Sequence, residues 1–376
     1  MRVAIFTGPT GGHFFPALAF CESLRNRRPE AQILFVTSLR ARPLTERVKN
    51  QLEAKFEFLP DFPFPRPQNW NFLIRLAPFL IKLAQSFWQT EQILESFRPD
   101  LALGFGSYVA FPGIFMSRKR GIPAIIHEQN AAMGKTNQWL CRFATQIALS
   151  FEPNVECHHH SHYKTTGLPL RSTLLRAAEQ KTEGVSPIFN KNRFRILIVG
   201  GSQGAQALNR LWQEALERFS DEEKSKLAVI HITGERDFAS VKTMYLEKEI
   251  EASVVAFANE MEKLYSRSDL AITRAGAGTL FELSLFGLPA IVIPYPHAEG
   301  HQEANAEYFQ RRGAIRVLPQ RTSTPQQLKE AVLEMINSSS LRKQMSESMI
   351  QLSAPHAGRH LTELCEEILE NEPCAA

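Results

Sequence analysis

The sequence predicts an α/β protein of two doubly wound halves, each a parallel sheet with helices on both faces. Three observations carry this. Short continuous apolar runs, such as VAIF (3–6), QILFVT (32–37) and DLALGFG (100–106), alternate with stretches of helical period, as strands buried on both faces do. A strand, a glycine turn and a helix open the chain at VAIFTGPTGGHFFPALAF, and the same plan recurs at FRILIVGGSQGAQALNRLW (194–212). The length of 376 residues exceeds one ordinary core and suits two.

In the first half the strand at 3–6 is followed by a helix from Phe14 to Leu24, and IPAIIHEQN (122–130) closes the series of strands. The second half adds strands at LAVIHITG (227–234), SVVAFA (253–258), LAITRAGAG (270–278) and LPAIVIPYP (288–296). Between them FEPNVECHHHSHYKTTGLPLRSTL reads as an irregular linker, which sets the domains at 1–165 and 166–355. After the break at SAPHAG, the segment 356–376 carries an amphipathic helix at about His360 to Leu369. The sequence leaves it free to pack on either half, a return onto the N-terminal domain included.

One region departs from the plan. LPDFPFPRPQNWNFLIRLAPFLIKLAQSFW has prolines at 60, 63, 65, 67 and 78, a density that forbids regular structure up to about Asn71. The aromatic and apolar residues between Phe62 and Phe79, with Arg66, Arg75 and Lys82, suit either contact with an anionic bilayer or ordinary packing. Leu80, Leu83, Ala84 and Phe87 are expected to cover the sheet.

Composition narrows the function. Hydrophobic residues make up 44% and charged residues 22%, the balance of a globular domain. A formal charge of +4 gives little footprint for nucleic acid. Five scattered cysteines without a CxxC pair suggest reduced thiols and a cytoplasmic setting. The opening residues form a strand instead of a signal peptide, and no apolar run nears the ~20 residues that cross a bilayer. Cys157, His158, His159, His160 and His162 crowd one loop without a second ligand pair, so adventitious metal binding is expected there instead of a zinc site.

Glycine turns before helices let a ligand approach the backbone, and the helix N-terminus behind them favours phosphate. Neither GPTGGH nor GGSQGA has the G-x-G-x-x-G spacing of a nicotinamide site, and no P-loop occurs. The second half is denser: Gly276 and Gly278 form a third turn before a helix from Thr279 to Phe286 that carries Glu282, and the HAEGHQ loop brings Gln302. A carboxylate able to bind a ribose diol, beside backbone amides facing a diphosphate, suits a nucleoside diphosphate-sugar. A surface carboxylate on a helix is the plain alternative for Glu282.

The segments GPTGGHFFPALA, GFGSYVAFPG, IPAIIHEQNAAMGKTNQWL, GLPLR, VGGSQGAQALN, FANEMEKLYSRSDLAITRAGAGTLFE and GLPAIVIPYPHAEGHQEANA, in this order, resemble the peptidoglycan N-acetylglucosaminyltransferase family over roughly Met1 to Gly313. The resemblance implies a GT-B fold, two Rossmann-like domains facing across a cleft. It also implies inverting transfer of N-acetylglucosamine from UDP-N-acetylglucosamine to the 4-hydroxyl of undecaprenyl-diphosphate-linked N-acetylmuramyl pentapeptide. The protein would then be peripheral to the cytoplasmic face of the membrane, with no required cofactor, a divalent cation being at most indirectly helpful, and with other cell-wall synthesis proteins as partners. For the donor it implies Ser202 at the diphosphate, the Ala258 backbone at uracil, Ala277, Gly278, Thr279, Leu280 and Phe281 around the diphosphate, Glu282 at ribose and Gln302 near the sugar. Thr10, Gly11, Gly12, Asn130 and Arg171 correspond to further donor contacts.

For the base, His13 is first choice, because it stands at the start of a helix whose N-terminus favours the neutral ring, and its ordinary pKa is near 6.5. A role in holding the acceptor diphosphate, or in capping the helix, is the alternative. Glu128 is the rival carboxylate, and Tyr108 is expected to orient either. Two departures from the family pattern, Pro9 in the first turn and Phe111 after Ala110 in the second, keep open a related GT-B enzyme acting on another lipid such as diacylglycerol. A nucleotide-sugar epimerase and a non-catalytic scaffold are the readings from other classes.

Overall fold

A computed structural model describes residues 1–49, 52–62, 72–153, 162–180, 193–200, 205–296 and 300–371, the side chains of 72–75 excepted. The chain divides into two compact units, Met1–Arg171 with His356–Ala376, and Ser172–Pro355. The boundary falls after Arg171, six residues beyond the expected one, and the last segment returns to the first unit.

In the first unit β1 (Arg2–Phe6) leads to α1 (Gly11–Arg27), and β2 (Gln32–Ser38) to α2 (Arg42–Val48) and β3 (Lys55–Leu59). Then come α3 (Phe72–Phe97), β4 (Leu101–Gly104), α4 (Ser107–Lys119), β5 (Ala124–Glu128), α5 (Lys135–Leu140), β6 (Gln146–Leu149) and β7 (Tyr163–Thr165). Among the described residues the strands pair in parallel in the order β3-β2-β1-β4-β5-β6-β7. β3, β6 and β7 were not expected. β7 is an edge strand inside the segment taken for a linker, which therefore begins later than it seemed.

The strands are apolar throughout because both faces are covered. Val3 and Ile5 point into one core with Phe14, Phe20 and Leu24 of α1, whereas Ala4 and Phe6 point into the other with Val109 and Ile114 of α4. Gly113 lets α4 close on β1, since a Cβ there would stand 2.3 Å from the Phe6 ring. Phe111 packs against Phe87 (6.0 Å between ring centres) and Phe115 (6.3 Å), so it serves the α3–α4 contact.

The second unit begins with α6 (Ser172–Glu179), β8 (Phe194–Val199), α7 (Gln206–Leu216), α8 (Asp221–Ser225), β9 (Leu227–Ile232), α9 (Phe238–Glu247), β10 (Glu251–Val255) and α10 (Met261–Tyr265). It continues with β11 (Leu270–Thr273), α11 (Ala277–Phe286), β12 (Ala290–Val292), α12 (His301–Gln310), β13 (Ile315–Val317), α13 (Pro325–Asn337) and α14 (Ser339–Gln351). Its described strands are also parallel, ordered β10-β9-β8-β11-β12-β13. In each unit the order reverses beside the first strand, between β1 and β4 and between β8 and β11. The loops leaving the carboxyl ends of those strands are where such sheets bind ligands.

The final helix, α15 (Ala357–Asn371), buries Leu361, Leu364, Cys365 and Ile368 in the core beneath α1. At the rim Glu366 accepts hydrogen bonds from Arg27 (2.8 Å) and Arg28 (2.7 Å). The apolar face settles where the helix packs, since exposed ion pairs contribute only ~0–1 kcal/mol.

The proline-rich stretch ends in α3, which starts at Phe72 and continues through Pro78. Residues 63–71 lie outside the described residues. Phe62 is buried against Tyr108 (4.9 Å) and Phe79 (6.4 Å). The expectation that Leu80 and Ala84 cover the sheet is overturned: both are exposed, Leu80 at 52%, together with Ile81 (68%) and Trp88 (61%), while Leu83 and Phe87 are half-buried. Trp139 on α5 is another exposed aromatic. No described helix is long and apolar enough to cross a membrane.

Candidate active site

At the carboxyl ends of β1, β4 and β5 three loops of the first unit meet around His13. Thr10 takes the N-cap position of α1 without a side-chain cap bond, and its carbonyl accepts from the His13 (3.0 Å) and Phe14 (2.9 Å) amides. The amides of Gly11 and Gly12 stand in the first turn, where a helix supplies no carbonyl for them. That is the helix N-terminus behind a glycine turn that the sequence predicts.

The His13 ring lies against the backbone of Gly106, where φ is +76° and a Cβ would come within 3.1 Å of Cε1 and 3.2 Å of Nδ1. Glycine meets both demands, the left-handed backbone and the close approach. From the end of β5, Gln129 brings its Oε1 to 3.0 Å from His13 Nδ1.

Glu128 is placed differently from expectation. It is 3% exposed, and its oxygens accept from the Asn130 amide (2.9 Å), Asn130 Nδ2 (3.2 Å), the Gly134 amide (2.9 Å) and Asn137 Nδ2 (2.8 Å). A carboxylate so engaged organises the loop after β5. Asn130 is held by it.

Tyr108 also turns elsewhere. Its hydroxyl donates to Asp61 Oδ1 at 2.5 Å, and burial, then that bond, pushes its pKa up to about 12. It therefore orients neither His13 nor Glu128, and instead fastens the loop after β3. Arg171 lays its guanidinium over Phe15 of α1, 5.1 Å from the ring centre.

In the second unit the corresponding place lies at the ends of β8, β10, β11 and β12. Ser202 lies outside the described residues. Gly276 caps α11, and Ala277, Gly278 and Thr279 form its first turn. The Leu280 amide bonds the Gly276 carbonyl (3.0 Å), and helix periodicity puts the Leu280 and Phe281 side chains on the buried inner face, Phe281 edge-on to Phe309.

Half-buried Glu282 accepts a 2.6 Å bond at Oε2 from the hydroxyl of Tyr265, itself buried at the end of α10. Gln302 accepts from the Ala275 (3.2 Å) and Tyr295 (2.8 Å) amides, so it ties the loop after β11 to that after β12. Asn305 adds a bond to the Ala275 carbonyl (3.1 Å). Ala258 follows β10 in the loop that the backbone pairing of Thr233 and Gly234 begins.

Sequence reasoning passed over Gln129, Tyr265 and Asp61. A signal existed for Gln129: it stands two residues after His127 at a strand end, on the same face. Tyr265 and Asp61 carry none, because their partners are distant in sequence. Cys157 and His158–His160 lie outside the described residues, and among those described no cluster of three or more His, Cys, Asp or Glu could hold a metal ion.

Two sheets with ligand loops at their switch points define the class. The glycosyltransferase family 28 N-terminal domain model matches residues 3–149 and the family 28 C-terminal domain model residues 195–360, so the chain is a glycosyltransferase of GT-B fold. The UDP-N-acetylglucosamine--N-acetylmuramyl-(pentapeptide) pyrophosphoryl-undecaprenol N-acetylglucosamine transferase of Thermodesulfovibrio yellowstonii is 33% identical over 373 residues, covering 99% of this chain and 100% of its own. The transferase of the same name from Halothermothrix orenii is 34% identical over 381 residues, covering 98% and 99%. The crystal structure of Acinetobacter baumannii MurG has a TM-score of 0.75 and 30% identity over 97% of this chain and 99% of that one. The chain belongs to this family of N-acetylglucosamine transferases. A UDP-N-acetylglucosamine 2-epimerase (TM-score 0.66, 11% identity, covering 99% and 96%) shares the fold alone.

Proposed function

We propose that this chain transfers N-acetylglucosamine from UDP-N-acetylglucosamine to the 4-hydroxyl of undecaprenyl-diphosphate-linked N-acetylmuramyl pentapeptide, with inversion, in peptidoglycan synthesis. The observation that carries this is full-length likeness, at 32–34% identity, to curated transferases whose names state that donor and acceptor. The epimerase reading keeps only the shared fold.

In this reading the second unit holds the donor. Glu282, steadied by Tyr265, binds the ribose diol, the Ala258 backbone meets uracil, and the first-turn amides of Ala277, Gly278 and Thr279 take the charge that grows on the departing UDP. Gln302 shapes the loop facing the sugar. The first unit supplies the acceptor side, with the Gly11 and Gly12 amides for diphosphate. His13 takes the proton of the attacking hydroxyl as the new C–O bond forms on the face opposite the breaking bond to UDP, which inverts the anomeric carbon. No cofactor is required in this scheme. Exposed Leu80, Ile81 and Trp88, with Lys82, would rest on the cytoplasmic face of the membrane.

Purified protein incubated with labelled UDP-N-acetylglucosamine and a short-chain muramyl lipid, with diacylglycerol as control acceptor, tests the proposal. Label entering the muramyl lipid with release of UDP is expected. Label in diacylglycerol alone, or in neither, would overturn it.

A further inference from the structure

We propose that Gln129 and His127 form a relay that holds His13 as its Nδ1–H tautomer, leaving Nε2 as the ring nitrogen that carries the lone pair. The inference rests on the reading of His13 as general base, and it names the residues that prepare that base.

The direction of every bond follows from atoms with a single role. Gln129 Nε2 lies 2.9 Å from the His127 carbonyl oxygen, which only accepts, so the nitrogen end of the amide is fixed there. The other end, Oε1, therefore faces His13 Nδ1 at 3.0 Å. An amide oxygen cannot donate, so Nδ1 carries the proton.

His127 agrees independently. Its Nε2 lies 3.1 Å from the Gly167 carbonyl, which requires a proton on Nε2, so its Nδ1 is unprotonated and accepts from Gln129 Nε2 at 3.1 Å. The amide's two hydrogens thus serve the His127 carbonyl and the His127 ring. Burial depresses the His127 pKa to about 4, so it stays neutral and the chain of donors has one sense at neutral pH.

The relay is rigid. His127 and Gln129 are 0% and 3% exposed, and the Phe105 ring lies 5.1 Å from that of His127. The Gly106 backbone against the His13 ring fixes its other side. Assigning a histidine's working tautomer through the partner of its other nitrogen is a general device of base catalysis. Here the partner is a neutral amide, which sets the tautomer without adding a charge to the acceptor site.

The test is nitrogen spectroscopy of the full chain labelled with ¹⁵N-histidine, His13 being assigned by the loss of its signals in His13→Gln. At neutral pH the wild type is expected to show a protonated Nδ1 and an unprotonated Nε2. A protonated Nε2, or rapid averaging of the two forms, would overturn the relay without recourse to any variant. Gln129→Leu is expected to move His13 to the Nε2–H form and to lower kcat by roughly 10²–10⁴-fold while leaving KM for UDP-N-acetylglucosamine within about twofold. An unchanged tautomer in that variant would also overturn it. A switched tautomer with kcat intact would confirm the relay and refute His13 as the base.

Discussion

Glu128→Gln separates loop organisation from proton transfer at a position where the sequence suggested the latter. The carboxylate accepts four hydrogen bonds, two from the backbone amides of Asn130 and Gly134 and two from the side chains of Asn130 and Asn137. The amide of glutamine turns one acceptor into a donor, which must face at least one of those N–H groups. The half-buried Asn130 side chain can turn toward water, but the backbone amides and buried Asn137 cannot. An orphaned buried donor costs about 1–3 kcal/mol, so the variant is expected to lose roughly 1–3 kcal/mol if the amide nitrogen takes the place of Oε1, which serves the Asn130 amide, and roughly 2–6 kcal/mol if it takes that of Oε2, which serves the Gly134 amide and buried Asn137. Urea denaturation followed by far-UV circular dichroism measures the loss, and the pH dependence of kcat measures the chemistry. The expected result is lower stability together with reduced activity whose pH profile keeps its shape. Wild-type stability with the basic-form limb of the profile abolished would refute this reasoning and return Glu128 to the role of base.

Tyr265→Phe removes the donor to Glu282; a hydrogen bond to a charged group contributes about 1.5–3 kcal/mol, so UDP affinity by calorimetry should fall roughly tenfold or more, and unchanged affinity would separate Tyr265 from the donor site. Gly113→Ala would ordinarily gain ~1 kcal/mol in a helix, yet its Cβ would meet the buried Phe6 ring, so a net loss of about 1–3 kcal/mol is expected in thermal unfolding, and any gain would contradict the α4–β1 packing. His231 is buried between Tyr245 and Asn209, and desolvation depresses its pKa to about 3. Below the ordinary value near 6.5 the unfolded chain binds the extra proton, so its stabilising contribution is complete above pH 6.5 and is lost as pH falls toward 3, with a slope up to about 1.4 kcal/mol per pH unit. Urea midpoints of the second unit between pH 7 and pH 5 should fall accordingly, and His231→Gln should flatten the slope.

Much of the fold was readable because its cause is local. Period and glycine punctuation mark β1, α1, β4, β8 and α11 directly, and the apolar runs reveal sheets covered on both sides. The strands that escaped are those with little local signature. β3 reads KFEFL with half-exposed positions, and β7 and β13 have three residues each, so their pairing with neighbours, not their own sequence, makes them strands.

The site divides in the same way. The sequence by itself determined where a helix N-terminus follows a glycine turn, since that pattern is written in consecutive residues, and it placed His13 at one of them. Only the tertiary structure decided who holds whom: Gln129 reaches His13 across 116 positions, Tyr265 reaches Glu282, Asp61 takes Tyr108, and Phe111 turns to α3. The physical reason is that chain periodicity sets the direction of a side chain, whereas its partner is set by which strands lie adjacent in the sheet, and that order is not the order of the sequence.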